Sequence, residues 1–243
     1  MREDAIEVIP VIDLMGGAVV RARHGLRQDY APIMTPISKT SGPLDVIAGL
    51  LAIHPFGTFY IADLDRIESR SGNTQTIESV TAAFPGHVFW IDAGMRDAIE
   101  ARSWLAQHKG AHLVLGSESL ESATVLSDLV ENDRIILSLD FRDDRFIGPK
   151  NLYDRPHLWP RRVIVMTLAR VGSDAGPDMD RLLEVRRRAP SLMIYAAGGL
   201  RGADDLLRLE QIGISGVLVA SALHDGRLTG GDLAAAENKI KGA

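Results

Sequence analysis

Cysteine is absent from the chain. Its absence removes thiol nucleophiles, thiolate metal sites and any disulfide framework, and it suits a reducing cytoplasm. Positive charge is in deficit: 27 Lys and Arg stand against 32 Asp and Glu, a net charge of −5 with a pI near 5.8. No basic field therefore exists to draw in nucleic acid. Long apolar runs are missing too. The first one is soon broken by Pro10 and Asp13, and the acidic stretch Met1-Arg2-Glu3-Asp4-Ala5 precedes it, so neither a signal peptide nor a membrane span is expected. No Gly-rich dinucleotide turn follows the first strand. His24, His54, His87, His108, His112, His157 and His224 show no HExxH or other metal spacing, so neither a cofactor nor a metal ligand set is expected.

What the sequence does contain is a recurring phrase. Val8-Ile9-Pro10-Val11-Ile12-Asp13-Leu14 is an apolar run that delivers an acid just before Met15-Gly16-Gly17, and Arg134-Ile135-Ile136-Leu137-Ser138-Leu139-Asp140-Phe141 repeats it. Short runs of this kind bounded by turn residues read as strands buried on both faces. Further runs lie at 58–65, 88–91, 112–116, 163–167, 192–197 and 216–219. Helices are predicted between them at 43–53 with Ser41 as cap, 73–83, 97–108 with Asp97 as cap, 123–130 and 177–188. Polar, Pro-containing connections at 24–41 and 142–160 read as loops that cover a site, with Tyr30, Tyr153 and Trp159 as candidate covering residues.

Eight strands alternating with helices over 243 residues predict a single α/β domain, residues 1–243, folded as a (β/α)8 TIM barrel. A second repeat points the same way. Asp92-Ala93-Gly94-Met95-Arg96 through Leu113-Val114-Leu115-Gly116-Ser117 is echoed by Ala197-Gly198-Gly199-Leu200-Arg201 through Val217-Leu218-Val219-Ala220-Ser221. Internal similarity at this scale marks two similar (β/α)4 halves. Strand ends in such a barrel share one mouth, so Asp13 and Asp140 should face a common pocket as an acid–base pair.

Ile9-Pro10-Val11-Ile12-Asp13-Leu14 with Gly17 and Val19-Val20-Arg21, Ala62-Asp63-Leu64-Asp65, Ser138-Leu139-Asp140 and Ala197-Gly198-Gly199-Leu200 together resemble the histidine-biosynthesis barrel family. That family holds the Amadori isomerase acting on ProFAR and the imidazole-glycerol-phosphate cyclase. The Ile-Asp-Leu and Val-Val-Arg details look more like the isomerase branch. The resemblance implies Asp13 as the base that moves the sugar C2 proton, Asp140 as the acid that opens the ring, and Thr167 as a helper that positions the intermediate. Two carboxyls in a dry mouth can be driven to opposite protonation states, which suits an aldose–ketose isomerisation on chemical grounds as well.

Small residues after the last two strands, Gly198, Gly199, Ala220 and Ser221, allow backbone N–H groups to approach a phosphate on the substrate. The other half departs from the isomerase pattern. Its expected Gly-Gly-Gly-Ile-Arg turn is here Asp92-Ala93-Gly94-Met95-Arg96, and a carboxylate at a phosphate seat repels by about 4 kcal/mol near a protein surface. Asp63, Asp92, Gly94, Arg96, Gly116, Ser117 and Glu118 mark this possible second substrate end, where an amine or a metal ion could replace a phosphate. Pairing of these acids with Arg66, Arg70 or Arg96 is the plainer reading. The chain looks most like a diverged subgroup of methylotrophs and methanogens. That likeness keeps open a paralogue acting on a mono-phosphorylated amine or sugar in one-carbon cofactor biosynthesis of the methanopterin or methanofuran type. A non-catalytic barrel that binds phosphometabolites is the third alternative.

Overall fold

The structure is a computed structural model that describes residues 6–22, 26–68, 71–129 and 131–241; His24, Arg70 and Val130 lie outside the described residues. Its barrel strands are β1 Glu7–Met15, β2 Thr58–Asp63, β3 Val88–Asp92, β4 Ala111–Gly116, β5 Ile135–Arg142, β6 Arg162–Thr167, β7 Met193–Ala197 and β8 Gly216–Val219. Each pairs in parallel with the next. The ring closes where β8 lies against β1, from Glu7 opposite Gly216 to Pro10 opposite Val219. This is the (β/α)8 barrel that the strand count predicts.

The period of two decides what fills it. Ile9, Tyr60, Trp90, Val114, Ile136, Ile164, Tyr195 and Leu218 point inward and fill the barrel, with the Trp90 and Tyr195 rings edge-on at 4.8 Å. Alternate residues such as Ile12, Ile61, Ile91, Leu113, Leu137 and Val163 face the helices in the larger outer core. Each such side chain contributes about 1.5–3 kcal/mol by leaving water.

Around the strands run α1 Pro43–Ile53, α2 Thr74–Ala83, α3 Ala98–Gln107, α4 Thr124–Ser127, α5 Met179–Arg188, α6 Ala203–Gln211, α7 Ser221–His224 and α8 Gly230–Lys241. Among the described residues no helix is long and apolar enough to cross a membrane. Asp97 caps α3 as expected, its Oδ1 accepting the N–H groups of Ile99 at 2.8 Å and Glu100 at 2.9 Å. Ser41 does not cap α1. Gly42 takes that place without a side-chain bond, and Pro43 starts the helix, where its missing N–H costs nothing. The helix expected over 123–130 shrinks to one turn.

Both halves carry the same embellishment on their first strand. β1 turns through Gly16 and Gly17, at φ +58° and +79°, into an antiparallel arm at Ala18–Arg21. β5 likewise turns back at Arg145–Ile147, with Asp140 opposite Ile147. The rest of the β5–β6 connection holds a 3-10 turn at Pro156–Leu158 and no α-helix. Tyr153 and Trp159 pack there rather than over a site, correcting the expectation that they cover substrate. Trp159 is 3% exposed and donates Nε1–H to the Leu152 carbonyl at 3.0 Å. Tyr153 stacks with Phe146 and Trp159, under the Arg188 guanidinium at 4.3 Å.

Candidate active site

At the C-terminal ends of the strands the barrel opens into a cavity of about 990 Å³ that is continuous with solvent. Asp13, Asp92 and Asp140 all line it, joined by Tyr60, Glu118 and, from the segment after the first arm, Arg27 and Tyr30. Strand parity puts the three aspartates there. Asp13 is in register with Ala62, and Ala62 with Asp92, so all three face inward; Asp140 is likewise in register with the inward-facing Met166.

Asp140 is firmly held. Its Oδ1 accepts the Ser138 hydroxyl at 2.7 Å, its Oδ2 accepts the Glu118 N–H at 3.0 Å, and its own N–H donates to Ser117 Oγ at 2.9 Å. Ser117 Oγ also lies 3.2 Å from Asp140 Oδ2 and donates to the Ile147 carbonyl at 2.6 Å. Asp92 accepts the Gly94 N–H at 3.0 Å through Oδ1, and its Oδ2 lies 3.4 Å from the Tyr60 hydroxyl.

Burial pushes all three carboxyls up to about 7. For Asp92 and Asp140 the nearby Glu118 charge adds to the rise, while the Arg27 charge moderates it at Asp13 and Asp92. Arg27 itself is ion-paired with Glu118. The mouth thus keeps carboxyls poised near neutrality, where either protonation state is within reach.

The remaining predicted residues separate by geometry. Gly198, Gly199, Ala220 and Ser221 line the cavity, and α7 starts at Ser221. Gly198 and Gly199 take φ +103° and +82°, and a Cβ on Gly199 would stand 2.4 Å from the Gly176 carbonyl. Only glycine lets the backbone pass there. Gly116 lies at the mouth between two acids, its missing Cβ 3.1 Å from Asp92 Oδ2 and 3.5 Å from Asp140 Oδ2. Ser117 is fully buried and serves Asp140.

Gly116 and Ser117 stand just behind the lining, and four more predicted site residues lie outside it. Asp63 is one residue past the inward-facing Ala62 and so turns outward; it accepts N–H groups from Arg66 at 3.2 Å and Asn73 at 2.8 Å, and the Asn73 side-chain amide at 2.7 Å. It clamps a loop. Thr167 follows the inward Met166 and donates to Asp178 at 3.3 Å, away from the cavity. Gly94 spends its N–H on Asp92, and the Arg96 N–H goes to Glu100 at 3.2 Å. Among the described residues no group of three or more His, Asp and Glu could hold a metal ion.

Tyr60 and Arg27 escaped the sequence reading. Tyr60 had a usable signal: it sits two residues before Ala62 and shares its inward face. Arg27 had none, because its position depends on how a loop folds back over the mouth.

Comparison with known proteins places these features in a family. Residues 7–155 and 156–229 match the family described as histidine biosynthesis protein. A relative from Erythrobacter litoralis is 30% identical over 246 residues, covering 94% of this chain and 96% of its own length. It is named 1-(5-phosphoribosyl)-5-((5-phosphoribosylamino)methylideneamino) imidazole-4-carboxamide isomerase. A protein of the same name from Novosphingobium aromaticivorans is 28% identical, covering 91% of this chain and 95% of its own. An uncharacterized protein of Methanocaldococcus jannaschii is 26% identical, covering 92% and 95%.

Proposed function

The chain belongs to the histidine biosynthesis protein family, and on that premise we propose that this isomerase carries out an Amadori-type aldose-to-ketose rearrangement of a phosphorylated ribosylamine-type substrate. One observation carries the reading: Asp13 and Asp140, from equivalent strands of the two halves, line one cavity and are both pushed up to about 7. At neutral pH such a pair supplies one proton donor and one acceptor.

Asp140 gives its proton to the ring oxygen as the bond from C1 to that oxygen breaks, leaving a Schiff base at C1. Asp13 then removes the C2 proton, and the electron pair moves to form an enaminol. Return of a proton to C1 and loss of the O2 proton yield the 1-amino-1-deoxyketose, so atoms and electrons balance without a redox partner. The substrate phosphate lies against Gly198, Gly199, Ala220 and Ser221, where the start of a short extra helix favours an anion. Its binding energy holds the sugar between the two carboxyls.

The test is to incubate the protein with a panel of phosphorylated ribosylamines in deuterium oxide and follow the products by NMR. Ketose carrying deuterium at C1 is the result expected, and it should vanish in Asp13→Asn and Asp140→Asn while ligand binding persists. Binding without turnover in the unmodified protein would overturn catalysis in favour of a phosphometabolite-binding barrel.

A further inference from the structure

Four strands around the barrel from β7 and β8 stand β3 and β4, and the wall they build is acidic. Asp92 closes β3 and is 7% exposed. Glu118 follows β4 by two residues, and the Tyr60 hydroxyl approaches Asp92 Oδ2 at 3.4 Å. Gly116 keeps this wall open, since a side chain there would press on Asp92 Oδ2 at 3.1 Å. A phosphate entering here would meet carboxyl groups that repel it wherever they are ionised, and the Gly94 N–H that could bind it is already given to Asp92.

A second observation concerns the opposite sign of charge. The protein supplies a cation to this wall itself: Arg27 reaches over the mouth, pairs with Glu118, and its charge is felt by Asp92 and Asp13. A guanidinium drawn in from a loop reports what the wall accepts. Charged donors bound to buried carboxylates form the stronger class of hydrogen bond.

We propose that Asp92 and Glu118, with Tyr60, form a seat for a protonated amine at the far end of a substrate whose single phosphate lies at Gly198, Gly199 and Ser221, and that Arg27 holds this seat until the amine arrives. The inference rests on the phosphate position in the proposed function and narrows the substrate to a mono-phosphorylated amine. A bis-phosphate is disfavoured by the same wall.

Aminoalkyl phosphates of increasing chain length, matched alkyl phosphates and matched alkane bisphosphates, titrated calorimetrically into the full-length protein, test it. The amino compound of best length should bind more tightly than both partners by about tenfold or more, the worth of one charge-assisted hydrogen bond. Asp92→Asn and Glu118→Gln should each reduce that preference while alkyl phosphate binding stays, and Arg27→Ala should tighten the amino compound. A bisphosphate that binds as tightly as the amino compound, a preference unchanged in both acid variants, or weaker amine binding in Arg27→Ala would overturn the seat. Failure of every phosphate to bind, or binding indifferent to Ser221→Glu, would overturn the phosphate position as well, which separates the two claims.

Discussion

Ser117 and Asp140 hold one another through both backbone and side chain. The Asp140 N–H donates to Ser117 Oγ at 2.9 Å, and that oxygen lies 3.2 Å from Asp140 Oδ2. Both are buried, so neither can exchange its partner for water. Ser117→Ala leaves the Asp140 N–H unsatisfied, a loss of about 1–3 kcal/mol of stability. It should also lower kcat while leaving KM nearly unchanged, because the proposed phosphate seat at Gly198, Gly199 and Ser221 lies elsewhere. Urea unfolding and steady-state kinetics on one preparation check both.

Gly116→Ala provides a steric test of the mouth. The added methyl would stand 3.1 Å from Asp92 Oδ2, a tight contact that displaces that carboxyl by a few tenths of an ångström, and 3.5 Å from Asp140 Oδ2, an ordinary contact. Ligand binding should weaken, with KM raised, and kcat should change less, since Asp140 is not displaced. Far-UV circular dichroism should be unchanged.

Stability should vary with pH in a direction set by the mouth. Asp13, Asp92 and Asp140 move from 3.8 to about 7 on folding. Between these values the folded protein keeps protons that the unfolded chain has released, so stability falls as pH rises through the window. Asp92→Asn removes one such group and should be more stable than the unmodified protein at about pH 8, by an amount of order 1–4 kcal/mol, and much less so at about pH 4. Asp205 has the opposite sign. Arg201 holds its carboxyl below the usual range, so its contribution is lost only on acidification below about pH 4 and does not mask the first effect. Denaturant titrations across the range decide the matter.

Asp63→Ala should damage the fold and leave the chemistry alone. Its two oxygens satisfy the N–H groups of Arg66 and Asn73 and the Asn73 amide, and removing them should cost about 1–3 kcal/mol. Activity per folded molecule should stay near that of the unmodified protein. Asn73→Ala should be similarly harmful, and the double variant less harmful than the two losses added together, because they share the same bonds.

Much of this was readable in the amino-acid order. An apolar run that ends in an acid marks a strand delivering charge to a mouth, and Asp13 and Asp140 both line the cavity so marked. Asp63 and Thr167 come at strand ends too, yet each lies one position off the inward register. A slip of one residue moves a side chain to the other face of a strand. Counting from Ala62 and Met166 would have turned both outward. Asp92 passes that parity test and faces in. Arg27 could not be read, because a segment without periodicity carries no record of where it folds back. Ser138 was legible only as part of the phrase around Asp140, since its hydroxyl matters through a bond two residues along the same strand.

The Ser117 hydroxyl that steadies Asp140 donates to the Ile147 carbonyl, on the arm that folds back from β5. The brace of Asp140 is thus anchored in a segment that lines no part of the cavity. A change in the arm that shifts the Ile147 carbonyl would release the Ser117 hydroxyl and let the carboxyl drift, so the working geometry of the mouth hangs on residues that a bound ligand never meets.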